Sequence, residues 1–214
     1  MAYLGILTAA LSVLLTLIVG STPAGQAKPP LVISQARADL DGDGRDETLE
    51  MVLLKGRHYQ DNEPWCGSGH KWEGSFALRV RREDDILDQR AWGELFYPPG
   101  RQEERAFFWA PLNLVLADYN GDGCLDFNLG VYGSCNANIY RLFSLSRQGR
   151  LVELPMQGGR ALAVSGAGHS NSTPMIRVRG GVLSHTYYDN ARGREITNRY
   201  RWQDGRFMPV APKP

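Results

Sequence analysis

The sequence lacks an excess of charge of either sign. Its 214 residues include 24 lysines and arginines against 23 aspartates and glutamates, which gives a formal net charge of +1. A protein that binds nucleic acid needs a basic surface that displaces the counterions of phosphate groups. The balanced composition therefore argues against a nucleic-acid partner.

The sequence also has few of the patterns that mark common catalytic sites. Its 4 histidines are scattered, and none has the His-x-x-x-His or His-Glu-x-x-His spacing of a catalytic zinc site. The Gly-x-Ser-x-Gly motif of many serine hydrolases is absent. Most of the acids that a glycosidase would need lie in two loops for which we predict another role. We therefore predict that the protein is not an enzyme.

Long helical patterns are absent after residue 27. Short apolar or alternating runs recur instead, separated by turn sequences in a chain with 24 glycines and 12 prolines. A spacing of about 8–12 residues between such runs is typical of an all-β sandwich, barrel or propeller. The runs predict strands at 48–55, 75–81, 112–117, 127–132, 139–146, 161–165, 175–179, 182–188, 198–202 and 206–210. We also predict one short helix at 84–94 and loops at 55–74 and 97–104.

The beginning of the chain has the pattern of a targeting segment. Residues 4–19 carry no charge, and as a helix they would rise about 24 Å, less than the ~30 Å of a hydrocarbon core. Small residues follow, as a cleavable leader requires. We predict that residues 1–27 are a signal peptide cleaved near Ala27. The alternative is an uncleaved anchor, which alone would keep the protein on a membrane. Residues 28–214 are then one periplasmic or secreted domain.

The sequence has only 3 cysteines, Cys66, Cys124 and Cys135. Disulfides persist in exported proteins, but an odd number leaves at least one thiol free or paired with another chain. Cys124 and Cys135 could close a short loop, and Cys66 could pair with either of them. The sequence does not decide between these pairings. A disulfide or a plain loop is favoured at Cys66 over a nucleophile activated by His70.

Two acidic loops, at residues 39–47 and 118–126, carry the strongest functional signal. Both match the pattern D-x-[DN]-G-D-G-x-x-[DE]. A hard cation such as Ca²⁺ takes six to eight oxygen ligands at about 2.3–2.6 Å. Side chains at positions 1, 3 and 5 converge when glycine at position 6 lets the chain curl, position 7 offers its carbonyl, and position 9 returns a carboxylate. An acidic surface turn is the alternative.

The pattern predicts one or two structural calcium ions. The predicted ligands are Asp39, Asp41, Asp43, Arg45 and Glu47 in the first loop and Asp118, Asn120, Asp122, Cys124 and Asp126 in the second, with Arg45 and Cys124 acting through their carbonyls.

An EF-hand is the other calcium motif to consider. Counting twelve residues from Asp39 reaches Glu50, so the first loop formally fits. However, position 8 is Asp46 where an apolar residue is usual, and position 12 of the second loop is Leu129. Both loops are also preceded by strand-like sequence. We therefore favour a loop that leads directly into a strand.

A strand, a D-x-D-x-D-G-x-x-D loop and a second strand resemble the FG-GAP/VCBS calcium loops of β-propellers, such as those of integrin α-chains. The region 112–210, with DYNGDGCLDFNLG, NANIYRLF and YRWQDGRF, is similar to the periplasmic calcium-binding β-propellers related to I-type lysozyme inhibitors. That group includes immunity proteins that block peptidoglycan-degrading effectors. The resemblance implies a small β-propeller and a cell-wall hydrolase as partner. About 40 residues per blade would give four or five blades.

Lysozyme inhibitors insert a loop containing serine and glycine into the cleft of the enzyme, and residues 165–170 have this composition. We therefore predict partner-binding residues at Ser165, Gly166, Gly168 and His169, with a flexible hairpin loop as the alternative. Nearby residues could also face a ligand or could cap a turn and fill the core; these are Asn136, Asn138 and Tyr140. The alternative function is a carbohydrate- or peptidoglycan-binding or adhesive module.

Overall fold

The structure is a computed structural model that describes residues 30–97, 106–166 and 168–211. The predicted signal peptide and most of the predicted loop at 97–104 lie outside these residues. The strands are β1 (Leu31–Ala38), β2 (Glu47–Asp61), β3 (Gly69–Arg82), β4 (Asp85–Ala91), β5 (Ala106–Trp109), β6 (Leu125–Tyr132), β7 (Ala137–Leu145), β8 (Leu151–Glu153), β9 (Leu162–Ser165), β10 (Arg177–Arg179), β11 (Val182–Asp189), β12 (Arg194–Gln203) and β13 (Arg206–Pro209). The helix α1 (Trp92–Phe96) lies between β4 and β5.

The strands form three antiparallel sheets, so the all-β prediction is confirmed. The N-terminal sheet has the order β1-β2-β3-β4, with β5 also paired to β3. The middle sheet has the order β6-β7-β8, with β9 paired to β7, and the C-terminal sheet has the order β10-β11-β12-β13. The described strands do not close into a barrel or a ring of blades, and the propeller stays a prediction. No helix in the described part of the chain has the length and hydropathy to span a membrane.

The middle sheet lies between two hydrophobic cores. Because side chains alternate along a strand, Phe143 and Leu145 of β7 enter the core shared with the N-terminal sheet. Tyr140 and Leu142 of the same strand enter the core shared with the C-terminal sheet. Nearly continuous burial along β7 follows from this position between two layers.

The loop predicted at 55–74 is wrong over most of its length, because β2 and β3 continue as a long hairpin. Gly56 pairs with Gly74 at a point where the two backbones approach closely. A Cβ atom on Gly56 would lie 2.0 Å from the carbonyl oxygen of Glu73, so only glycine allows this approach. Beyond it, the polar pair Arg57 and Glu73 forms an exposed salt bridge across the hairpin. The side chains at this end of the hairpin are largely polar because it is solvated, and this composition led to the prediction of a loop.

The helix predicted at 84–94 is also wrong. Residues 85–91 form β4, and the helix α1 begins only at Trp92. Glu83 has a positive φ of 49° in the turn that folds β4 back onto β3. Pairing with β3 overrides the local helical preference of residues 85–91. The helix is therefore limited to the turn that buries Trp92 and Leu95.

The strand predicted at 112–117 is not formed; only Ala117 makes a bridge, to Asp126. Its alternating pattern reflects burial, because Leu112, Leu114 and Leu116 pack against the first core without a neighbouring strand. The other predicted strands overlap observed ones.

Candidate functional site

The first acidic loop, residues 39–47, connects β1 to β2. Its ends are held together by the pairing of Ala38 with Glu47. Inside it, the amides of Gly42 and Gly44 donate to Oδ1 and Oδ2 of Asp39, at 2.7 and 2.9 Å. Gly44 has a φ of +86°, which allows the tight curl expected at position 6.

The second acidic loop, residues 118–126, has the same fold. Its ends are joined by the bridge between Ala117 and Asp126, at the positions equivalent to Ala38 and Glu47. The amides of Gly121 and Gly123 donate to Oδ1 and Oδ2 of Asp118, at 2.7 and 3.1 Å. The two loops thus share both their closure and the role of position 1.

Three further hydrogen bonds occur at equivalent positions of both loops. The amide of position 5 donates to the side chain of position 3, that of position 7 to position 5, and that of position 2 to position 9. These bonds are Asp43 to Asp41, Arg45 to Asp43 and Leu40 to Glu47 in the first loop, and Asp122 to Asn120, Cys124 to Asp122 and Tyr119 to Asp126 in the second. One structural unit is therefore used twice.

Positions 1, 3 and 5 converge in the first loop. One carboxylate oxygen from each of Asp39, Asp41 and Asp43 lies within 4.8 Å of the others, and all three residues are exposed. Two oxygens on the same calcium ion are at most about 5 Å apart, so this triad could hold a hard cation. The Gly44 amide, together with the weaker effects of the other loop amides, lowers the pKa of Asp39 and outweighs the opposing effect of desolvation.

The first loop already has a cation from elsewhere in the chain. Arg82, on β3, donates to Oε1 of Glu47 at 2.6 Å and also pairs with Asp41. These two hydrogen bonds raise the pKa of Arg82. The sequence analysis missed this arginine because it lies 35 residues after Glu47. Only the register of β2 against β3, with Thr48 opposite Arg81, could have indicated it.

The second loop contains a buried carboxylate with an unpartnered oxygen. Asp126 is fully buried, and its Oδ2 accepts a hydrogen bond from the Tyr119 amide at 2.6 Å. Its Oδ1 forms no hydrogen bond of ordinary geometry with a described residue, although the hydroxyl of Ser144, paired with Asp126 across β6 and β7, lies close enough to favour the carboxylate form. Burial raises the pKa of Asp126 to about 6, and the negative charges of Asp122 and Asp118 add to this effect. A bound cation would compensate both the missing partner and the repulsion.

The cysteine pairing is decided by the structure. Cys66, at the tip of the β2–β3 hairpin, forms a disulfide with Cys135, in the loop between β6 and β7. Cys124 is a free, partly buried thiol, and burial raises its pKa. The hydroxyl of Tyr132 lies 3.2 Å from the Cys66 sulfur. The disulfide therefore joins the N-terminal sheet to the middle sheet and leaves no thiol at Cys66.

A cavity of about 220 Å³ opens beside this disulfide. Gly166, Gly168 and His169, three of the predicted partner-binding residues, line it together with Trp109 and Asn138. The His169 ring stacks on Trp109 with centroids 5.0 Å apart, and its Nε2 lies 3.1 Å from the Cys66 carbonyl oxygen. The fourth predicted residue, Ser165, does not line the cavity; it is buried in β9 opposite Ala137.

The loop around His169 is tied to the body of the protein. Asn138 donates to the Gly168 carbonyl at 2.7 Å, and the Tyr140 hydroxyl donates to the Ser170 carbonyl. Both Asn138 and Tyr140 are buried, in agreement with the turn and core roles considered for them, whereas Asn136 is exposed.

The second acidic loop and the cavity lie at opposite ends of the middle sheet. Strand β6 begins at Leu125, within the second acidic loop, and ends at Tyr132, beside the disulfide. Eight residues of strand span about 25 Å. A cation in the second loop could therefore affect the cavity only through the scaffold.

No protein family, curated protein or solved structure matches this chain.

Proposed function

We propose that this chain is an exported calcium-binding protein that binds and inhibits a cell-wall hydrolase, as its resemblance to lysozyme-inhibitor-like and immunity proteins implies. The observation that carries the calcium part is the second acidic loop. There, a backbone arrangement repeated from the first loop surrounds a buried carboxylate with an unpartnered oxygen, at Asp126. The small β-propeller belongs to the same proposal, and three antiparallel sheets of largely consecutive strands support it.

Calcium has a structural role in this proposal. Its ligands in the second loop would be Asp118, Asn120, Asp122, the Cys124 carbonyl and Asp126. The ion would supply positive charge near the start of β6, where Ala117 forms a bridge with Asp126. A ligand that binds only the folded state adds about 2.7 kcal/mol of stability at a concentration of 100 Kd. Extracellular sites bind in the range of about 10⁻⁴–10⁻³ M and can still be filled.

The end of the molecule that carries the disulfide is the surface proposed for the hydrolase. Gly168 and His169 are already fixed by Asn138 and by the stacking of His169 on Trp109, so they lose little conformational entropy on binding. Trp65, beside Cys66, is 38% exposed, and exposed tryptophans are frequent binding hot spots.

Glycan binding is the second candidate, because aromatic rings and an amide line the same cavity. Tyr132 could stack on a sugar ring, and the exposed Asn136 could bond its hydroxyls. However, pockets that enclose small ligands usually measure about 300–1,000 Å³, which exceeds the 220 Å³ here. The small volume favours a protein surface that inserts a side chain over the capture of a whole sugar.

An inhibition assay with I-type lysozyme tests the function, and calorimetry tests the metal. Calcium should bind the wild type and raise its melting temperature, and Asp118→Asn should abolish binding at the second loop. Trp65→Ala should weaken inhibition by tenfold or more, as expected of a hot spot, on the order of 2 kcal/mol. Val152→Ala, which removes another exposed apolar side chain, is the control. Binding to purified peptidoglycan without any inhibition would favour the glycan-binding alternative.

A further inference from the structure

Five arginines lie on one side of the C-terminal sheet, which we call the arginine face: Arg177, Arg179, Arg199, Arg201 and Arg206. Residues paired across antiparallel strands point to the same side of a sheet. The register places Arg177, Ser184 and Arg199 in one row and Arg179, Val182 and Arg201 in the next. Arg206 pairs with Gln203, two residues beyond Arg201 on the same side.

The arginine face is the solvent side of the sheet. The alternate residues, including Leu183 and Phe207, are buried in the second core. All five arginines are exposed. None of them forms an ion pair with a described residue, in contrast to Arg192 at the tip of the β11–β12 hairpin, which pairs with Asp189.

The positive charge on this face is dense. Arginines two residues apart on one strand are about 7 Å apart, and those separated by one intervening strand are about 10 Å apart. Glu195 lies on the same side near the far end of β12, and Asp204 lies in the β12–β13 turn. A chain with a formal net charge of only +1 therefore concentrates unpaired guanidinium groups in one place, where they repel one another until an anion is present.

We propose that the arginine face docks on a bilayer surface that carries anionic phospholipid headgroups. Cations that all project from one side of a sheet can contact several phosphates of a planar surface at the same time. Guanidinium groups bind phosphate in a bidentate manner. The same side carries the hydroxyls of Thr186 and Thr197, hydrogen-bonded at 3.0 Å, and Tyr188, which is 46% exposed. A tyrosine with an apolar ring and a polar tip suits the headgroup region. An exported chain, as the segment at 1–27 predicts, would meet anionic phospholipid rather than nucleic acid.

Co-sedimentation with vesicles tests this docking. The purified chain is mixed with vesicles of phosphatidylcholine, with or without phosphatidylglycerol. Wild type should bind preferentially to the vesicles with phosphatidylglycerol, and added salt should weaken this binding. Arg199→Gln with Arg201→Gln should reduce the phosphatidylglycerol-dependent partitioning about 30-fold, because each arginine near an anionic surface contributes about a fivefold effect. Both residues are exposed and without ion pairs, so the variant should keep the wild-type circular dichroism spectrum.

The matched control is Arg37→Gln with Lys55→Gln, which removes the same charge from exposed positions of the N-terminal sheet that form no ion pair with a described residue. An equal loss of binding in both double variants would overturn the proposal, because only net charge would then matter. Equal binding to both kinds of vesicle would overturn it too. Binding to heparin or RNA without binding to vesicles would assign the face to another polyanion and would likewise overturn it. None of these results bears on calcium binding or hydrolase inhibition.

Discussion

Arg82, the last residue of β3, donates a hydrogen bond to Oε1 of Glu47, the first residue of β2, at 2.6 Å. The same guanidinium reaches Asp41, so it bridges positions 3 and 9 of the first acidic loop. In the second loop position 3 is Asn120, and among the described residues no arginine or lysine forms an ion pair with Asp126 at position 9. Arg147 lies close enough to favour the charged form of Asp122 at position 5. The two loops share a backbone but differ in how their negative charge is compensated.

Arg82→Gln should therefore make the first loop more dependent on calcium. Without the guanidinium, the carboxylates of Asp41 and Glu47 repel each other, and the melting temperature in a chelator should fall below that of the wild type. Added calcium should then raise the melting temperature of the variant more than that of the wild type. Arg90→Gln, which removes an exposed arginine paired with Glu94, is the control. Equal calcium effects in wild type and Arg82→Gln would contradict the idea that the arginine substitutes for an ion.

Loss of the disulfide should destabilise the protein strongly. The bond between Cys66 and Cys135 spans 69 residues of sequence. In the loop-entropy model, a closed loop of this length contributes about 4 kcal/mol to the free energy of unfolding. Replacing both cysteines by serine should lower that free energy in urea titrations, whereas Cys124→Ser should have a much smaller effect because its thiol is free. An equal effect of the two variants would argue against this pairing.

Stability should depend on pH through His185. This residue is 3% exposed between the rings of Tyr187 and Tyr200, and burial lowers its pKa to about 4. Between pH 6.5 and 4 the unfolded chain binds a proton that the folded protein excludes, so stability falls as pH falls. The loss approaches about 3 kcal/mol near pH 4.

The variant His185→Phe provides the reference for this measurement. The difference in unfolding free energy between wild type and variant should change by that amount between pH 7 and pH 4, while contributions of other groups, including Asp126, cancel. A difference that does not vary with pH would show that His185 titrates alike in both states.

Asn171 is predicted to stabilise the side of the cavity. Its Oδ1 accepts from the Trp109 amide at 2.7 Å, and its Nδ2 donates to the Gly130 carbonyl at 2.9 Å, both in buried surroundings. Asn171→Ala would leave these two backbone groups without partners, at a cost of about 3 kcal/mol. Asn190→Ala, at an exposed turn position, should change stability by less than about 0.5 kcal/mol. Equal free energies of unfolding for the two variants in chemical denaturation would show that water forms hydrogen bonds with the Trp109 amide and the Gly130 carbonyl instead.

Sequence patterns predicted most strands because alternation and turn residues act locally. The failures occurred where pairing with a distant strand decided the outcome. Residues 85–91 became β4 because the edge of β3 was free to pair with them. Residues 112–116 kept the alternation of a strand but not its hydrogen bonds, because only Ala117 has a strand partner.

The conformation of the acidic loops follows from local sequence alone. Their hydrogen bonds close within nine residues, and the required turns depend on glycines at known positions, so spacing is sufficient. The partners of these loops depend on the tertiary structure. The approach of Arg82 to the first loop, the burial of Asp126 in the second and the disulfide from Cys66 to Cys135 each join residues through strand register or sheet packing. The arginine face also arises in this way, since residues on three strands share one side only once the register is set.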